Sequence, residues 1–319
     1  MRIVVRAELR ADLLDRLRAE SPAVEFVLCA KDHGLFEALA EADALISGPP
    51  VTAEMLAAAP RVRWVQCTFT GVDAWPLAAF AARGIPLTNM RGAPGPNIAE
   101  HIIALMFAFA RAMPELFRRQ QAASWPPISR APPTFDLAGQ RVCLLGYGEI
   151  GRNIAWRAKG LGMEVWALRR NPGASAEAHV DRMLGADDLD ALLAGADHLA
   201  NSLPLTPATA NIIDARALGL MKPAAYIYNV GRGATIDQEA LTQALRDGRI
   251  AGAGLDVTEP EPLPADSPLW TMPNVIITGH TSGPTRNYWE RAIEVVSGNI
   301  QRFTKGLPLT NLVDPEAGY

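Results

Sequence analysis

The 319-residue chain is short of cysteine, of charge imbalance and of long apolar runs, and each shortage excludes something. Its three cysteines, Cys29, Cys67 and Cys143, are scattered and odd in number. They form no Cys-x-x-Cys pair and no disulfide framework, and the scattered histidines add no cluster that would hold a metal. They read as buried thiols in a reducing compartment. A net charge of −4 gives no electrostatic case for nucleic acid or an anionic membrane. The longest wholly apolar run, residues 102–110, is closed by Arg111, whereas a membrane-spanning helix needs about 20 residues. Arg6, Glu8, Arg10 and Asp12 break up the first dozen residues, so no signal peptide is expected and cytoplasmic residence is the default. With 49% hydrophobic and 20% charged residues, the chain reads as an ordinary globular protein, and its length fits roughly two domains.

Short apolar runs alternate with amphipathic stretches throughout. In the first hundred residues 3–5, 26–29, 44–46, 64–67 and 86–88 read as strands, and 11–20, 33–40, 52–59 and 73–83 as helices. Residues 97–121 are a longer helical pattern with a kink or break expected at Pro114, and the proline-rich stretch 124–133 reads as an extended arm. A second series follows, with strands at 142–145, 164–168, 197–202, 226–229, 252–257 and 275–277. Helices are expected at 150–161, 186–194, 238–246 and 285–304, the last ending near Lys305–Gly306. Such alternation implies α/β architecture with two doubly wound parallel sheets; a single closed α/β barrel is the alternative.

Residues 142–151 read VCLLGYGEIG, so Gly146, Gly148 and Gly151 form G-x-G-x-x-G between a strand and a helix. The first glycine permits a tight turn, the second lets backbone approach a pyrophosphate, and the third lets helix and strand pack closely. The helix N-terminus then offers N–H groups to phosphate. A glycine turn can also be purely structural, but the strand–turn–helix context favours a dinucleotide. Eighteen residues beyond Gly151, where a carboxylate usually holds the ribose of NAD, stands Arg169, followed by Arg170. A guanidinium pairs with a ribose 2′-phosphate, so NADP(H) is expected to be preferred, with NAD(H) possible.

Three later segments place polar residues after apolar strands: NVGRGATID with Arg232, GLDVTEPEPLP with Asp256, Glu259 and Glu261, and VIITGHTSG with His280. Together with the glycine turn, Thr-Gly-Val-Asp at 70–73 and Asn-Leu-Val-Asp at 311–314, these blocks resemble the D-isomer-specific 2-hydroxyacid dehydrogenases over nearly the whole chain. The resemblance implies a flavodoxin-like substrate domain (1–97 plus 285–319) and a Rossmann cofactor domain (98–284), with a cleft between them. It implies Arg232, Glu261 and His280 as the catalytic three. Cofactor contacts would come from Gly146, Gly148, Glu149, Ile150, Gly151, Arg169, Arg170, Leu203, Pro204, Val230, Gly231, Asp256 and Gly283, and substrate contacts from Thr70, Gly71, Val72 and Arg232. A homodimer is also implied, with the arm at 120–135 as a participant.

The residue types suit that chemistry. Reducing a 2-keto acid needs a hydride on carbon and a proton on oxygen. Imidazolium is a suitable donor near neutral pH, and a neighbouring carboxylate favours the charged form. An arginine can grip the substrate carboxylate. Taken singly, Arg232, Glu261 and His280 would each be ordinary structural or surface residues, and Glu259 competes with Glu261 for the carboxylate role. Two departures from the family pattern stand out: Arg169 where many members carry an acid, and Gly279 where proline often precedes the histidine. The activity expected is NADPH-dependent reduction of a small 2-keto acid of the glyoxylate/hydroxypyruvate type. Turnover of a bulkier acid such as phenylpyruvate, or dinucleotide sensing without catalysis, are the alternatives.

Overall fold

A computed structural model describes residues 1–29, 32–172 and 177–319. The chain folds as two compact units, one comprising Met1–Pro94 and Thr285–Tyr319, the other Gly95–Pro284.

In the first unit, strands β1 (Arg2–Arg6), β2 (Glu25–Leu28), β3 (Ala44–Ser47), β4 (Val65–Cys67) and β5 (Leu87–Thr88) pair in parallel in the order β2-β1-β3-β4-β5. Helices α1 (Ala11–Glu20), α2 (Leu35–Ala40), α3 (Ala53–Ala57) and α4 (Leu77–Arg83) make the crossovers. Both sheet faces are buried, so successive strand residues serve different cores. Ile3 and Val5 pack with Ile293, Val296 and Ile300 of the last helix, Tyr288–Thr304, while Val4 faces Leu35, Leu39 and Leu56. α4 starts later than residue 73 because Pro76 occupies its N-cap, and proline is tolerated at a helix start but not within it.

The second unit opens with α5 (Gly95–Ala110) and α6 (Met113–Gln121). Of the kink or break expected at Pro114, the chain makes a break just before it. Ala112 takes a left-handed conformation (φ 51°), and Pro114 sits in the first turn of α6, where its missing N–H is no loss. Strands β6 (Arg141–Leu145), β7 (Glu164–Leu168), β8 (Arg182–Leu184), β9 (His198–Asn201), β10 (Tyr226–Asn229), β11 (Gly252–Leu255) and β12 (Val275–Ile277) form an all-parallel sheet ordered β12-β11-β10-β9-β6-β7-β8. Helices α7 (Glu149–Gly160), α8 (Leu189–Gly195), α9 (Ala215–Leu220) and α10 (Gln238–Arg246) cover it with α5. Two open sheets exclude the closed barrel. β8 and α9 have no counterpart in the sequence reading. The arm around residues 122–133 contains one short 3₁₀ turn, Ile128–Arg130, and exposes Trp125 and Ile128 almost fully.

Val142 and Leu144 face one core of this unit, and Cys143 and Leu145 the other. Burial pushes the Cys67 and Cys143 thiols up to about 12, so both stay protonated and unreactive at neutral pH. No helix among the described residues is long and apolar enough to cross a membrane.

His198 is fully buried in this sheet, stacked against Tyr226 and Tyr228. Its Nδ1 accepts from the Tyr228 hydroxyl at 2.9 Å, and its Nε2–H donates to Gln140 Oε1 at 2.7 Å. That pairing suits neutral imidazole, and burial lowers the pKa from 6.5 to about 4. Between those values the unfolded chain binds the proton and the folded chain does not. The stability supplied by the neutral ring is therefore complete above pH 6.5 and is lost as the pH falls towards 4. The loss is about 3 kcal/mol. Urea unfolding from pH 8 to 4 is expected to show that slope in the wild type and to lack it in His198→Gln. Parallel profiles would remove His198 as the cause.

Candidate active site

β6 and β9 are neighbours, yet the chain leaves β6 towards β7 and β8 and leaves β9 towards β10, β11 and β12. The loops that follow β6 and β9 therefore diverge, and this is where open α/β sheets form a ligand crevice. Gly146 begins the first loop at φ 101°, with its N–H donating to Leu168 O at 3.2 Å. A Cβ on Gly151 would stand 2.5 Å from Gly146 O, so only glycine lets α7 lie this close to the turn. Gly148 is exposed, and a Cβ there would meet nothing within 4 Å. Its backbone is open to approach just before α7 begins at Glu149, which is exposed, and Ile150, which is half-buried. One tight turn, one open glycine and one close-packed glycine at a helix N-terminus fit the pyrophosphate of a dinucleotide.

Glycines also join the next three loops. After β9, buried Asn201 accepts from the Leu203 N–H at 3.1 Å and donates to Thr235 Oγ1 at 2.7 Å and Asn229 Oδ1 at 3.1 Å. Pro204 follows Leu203, and Val230 N–H donates to Asn201 O at 3.0 Å. A Cβ on Gly231 would lie 2.4 Å from Leu203 O, and one on Gly233 only 1.9 Å from Thr258 O. The loops after β9, β10 and β11 thus touch backbone to backbone. Arg232, half-buried, lies between the two glycines. Its carbonyl accepts from Asn229 Nδ2 at 3.0 Å and Thr235 Oγ1 at 2.6 Å, and its guanidinium donates to Gly231 O at 2.8 Å.

Asp256, 2% exposed, organises the loop after β12. Its carboxylate accepts from Thr278 Oγ1 at 2.6 Å, Thr281 N at 2.9 Å and Ser282 N at 3.2 Å, while its backbone carbonyl accepts from His280 N at 2.6 Å. Burial pushes this carboxyl up, but the hydrogen bonds from Ser282, Thr278 and Thr281 outweigh it and hold it below the usual aspartate value. The loop is thus tied to a buried negative charge. Gly279 and His280 are both left-handed, each at φ 59°. Proline, locked near −65°, cannot take the Gly279 conformation, so glycine at this position gives the loop a path closed to proline.

The Glu261 carboxylate joins that loop to the one after β11. Its Oε1 accepts from Thr258 N at 3.2 Å and its Oε2 from His280 Nδ1 at 2.8 Å. This fixes the ring and leaves Nε2 for another partner. Glu259, the rival carboxylate, is instead held through its backbone by Gln238.

Several contributors were not evident in the sequence. On α5, Asn97 Nδ2 donates to Gly283 O at 2.7 Å, and His101 Nε2 donates to Thr278 Oγ1 at 3.0 Å, lying 3.8 Å from Asp256 Oδ1. Their i, i+4 spacing, which puts both on one helix face, was the available signal. Asn201, Thr235, Gly233 and Thr278 had none.

At the end of β7, Arg169 donates from Nε to Pro172 O at 3.1 Å and from Nη1 to Glu177 Oε1 at 3.1 Å, while Arg170 is exposed. In the other unit, the turn after β4 is held by Asn89 Nδ2 donating to Thr70 O at 2.9 Å. Val72 is buried and Gly71 half-buried there.

Residues 103–282 match the sequence pattern of the D-isomer specific 2-hydroxyacid dehydrogenase, NAD binding domain. The chain is 34% identical to glyoxylate/hydroxypyruvate reductase B of Pectobacterium carotovorum over 318 residues, 98% of each chain. It is 33% identical to glycerate dehydrogenase of Methylorubrum extorquens over 272 residues, 83% of each. It also superposes with a TM-score of 0.85 on a D-isomer specific 2-hydroxyacid dehydrogenase from Xanthobacter autotrophicus, solved in complex with NADPH and MES. That protein is 30% identical, with 99% of each chain covered.

Proposed function

The chain belongs to the D-isomer-specific 2-hydroxyacid dehydrogenase family of oxidoreductases, and from that premise we propose that it reduces a small 2-keto acid of the glyoxylate or hydroxypyruvate type to the D-2-hydroxy acid with NADPH. The observation that carries the reading is the Glu261–His280 pair at 2.8 Å, which joins the loops after β11 and β12, the second of them anchored to buried Asp256, at the same carboxyl edge of the parallel sheet that carries the glycine turn. Gly146, Gly148, Glu149, Ile150 and Gly151 hold the pyrophosphate, with Leu203, Pro204, Val230, Gly231, Asp256 and Gly283 bordering the rest of the dinucleotide. The reduced nicotinamide supplies the hydride.

The protein's own residues do the remainder. Arg232 grips the substrate carboxylate and polarises its carbonyl. Backbone N–H groups of Thr70, Gly71 and Val72 supply further carboxylate contacts. His280 gives a proton from Nε2 to the substrate oxygen, and Glu261 holds the ring by its Nδ1–H. In oxidation the neutral ring takes that proton back. Trp125, Ile128 and Phe117, all exposed, support pairing with a second copy, and three free thiols support a reducing compartment.

Arg169, with Arg170 beside it, directs the preference for NADP(H). One charge-assisted hydrogen bond to a 2′-phosphate is worth roughly ten- to a hundredfold. Absorbance assays on a panel of 2-keto acids, run with NADPH and NADH, test both parts of the proposal. Fastest turnover of glyoxylate or hydroxypyruvate with NADPH is expected, as is loss of the NADPH preference in Arg169→Asp. Best turnover of phenylpyruvate would move the substrate class, and turnover of none would favour a sensor. An unchanged cofactor ratio in the variant would remove Arg169 as the discriminator.

A further inference from the structure

Arg169 does not stand alone at the end of β7. Glu177 Oε1 accepts from Arg169 Nη1 at 3.1 Å and from Arg152 Nη2 at 2.9 Å, so two guanidiniums converge on one carboxylate oxygen. Arg152 follows Gly151 on α7, and its guanidinium lies 5.3 Å from the ring of Tyr147, the residue between the first two glycines of the turn. The Gly146 N–H bond to Leu168 O draws the end of β7 against that turn. The cluster therefore sits at the rim of the dinucleotide turn, on the side where the second strand of the unit meets a ribose. It is no freely solvated pair: the Arg169 and Glu177 side chains are each 22% exposed.

We propose that Glu177 is a built-in competitor for the ribose 2′-phosphate and a specificity-determining residue for cofactor choice. The inference rests on the proposed role of Arg169 and adds a residue that opposes it. Carboxylate and phosphate ask for the same guanidinium donors, and the phosphate is the better acceptor because it carries more charge and more oxygens. Both cannot occupy the Arg169–Arg152 pair without like-charge repulsion at contact distance. The 2′-phosphate enters only as Glu177 leaves. A ribose bearing a 2′-hydroxyl makes no such demand, because a hydroxyl can donate to the carboxylate. Glu177 thus lowers affinity for the phosphorylated cofactor and leaves the unphosphorylated one nearly untouched, narrowing a preference that the arginines would otherwise set wider.

The test is calorimetric titration of the full chain with adenosine 2′,5′-bisphosphate and with AMP, which requires no turnover. In Glu177→Gln the bisphosphate is expected to bind roughly tenfold tighter than in the wild type, with AMP affinity moving far less. Glu177→Ser should behave alike, which guards against a fold defect in one variant. The gain should vanish when Arg169→Ala is combined with Glu177→Gln. Unchanged bisphosphate affinity would overturn the proposal. Weakened affinity would overturn it too, by showing that Glu177 positions Arg169 for the phosphate, and an equal gain for AMP would do so by showing a general charge effect. The wild-type ratio of the two ligands reports separately on the NADP(H) preference. A wild type that binds both equally, with a gain still seen in Glu177→Gln, retires that preference and keeps the competitor.

Discussion

His280→Ala is expected to lower turnover about 10²–10⁴-fold, the range for removal of a positioned general acid–base group. The size follows from how little else near that imidazole can replace it. Glu261 points one oxygen at His280 Nδ1 and the other at Thr258 N–H. A fixed carboxylate is an acceptor and a poor substitute for an imidazole as proton donor at neutral pH. His101 lies on the far side of Thr278, donating into the hydroxyl that serves Asp256. Alanine removes the donor, and the four hydrogen bonds that Asp256 accepts hold the loop in place because none comes from the imidazole: they come from the Thr278 hydroxyl and from the backbone N–H groups of residues 280, 281 and 282. Dinucleotide binding, followed by fluorescence, should therefore survive while single-turnover reduction collapses. A variant that turns over at nearly the wild-type rate would exclude His280 as the donor.

The second large effect concerns stability. A Cβ on Gly233 would fall 1.9 Å from Thr258 O and 2.7 Å from Glu259 N, atoms of a neighbouring loop's backbone that have no rotamer to change. Gly233→Ala must push apart the loops carrying Arg232 and Glu261, at a cost of about 3 kcal/mol or more. Urea unfolding measures it. Gly298→Ala, inside the last helix with nothing within 4 Å of the added carbon, is the control and should be neutral or stabilising by up to about 1 kcal/mol. Equal midpoints for the two variants would show that the loops part easily and that the glycine contact holds nothing together.

What the sequence made legible was whatever chemistry is local. The glycine turn could be read because its shape is local: Gly146 turns the chain at positive φ, and Gly151 packs on a carbonyl only five positions back. Strands such as Glu164–Leu168 and Tyr226–Asn229 could be read because their apolar runs are bounded by turn residues. β8 could not, since Arg182–Leu184 offers three residues and a charge. Nor could α9, whose six residues show no periodicity and depend on the Asp214 side chain accepting from Ala217 N–H at the N-cap. In the site, preferring Glu261 to Glu259 needed the family pattern, because two carboxylates two residues apart in a proline-rich loop are equivalent until the chain is folded. Gly233, Asn201 and Thr278 were silent for a related reason: each acts on a loop from another strand. Glu177 is the same case, eight residues beyond an arginine whose partner was sought in a ligand.

The segment carrying His280 depends for its handedness on residues distant in the chain. Two consecutive left-handed residues are held there by the backbone carbonyl and carboxylate of Asp256, more than twenty positions earlier, and braced from α5 by Asn97. Anyone grafting this histidine into a related scaffold must therefore carry over a discontinuous module of three chain segments. A transplant of residues 275–283 alone would arrive without the anchor that gives it handedness.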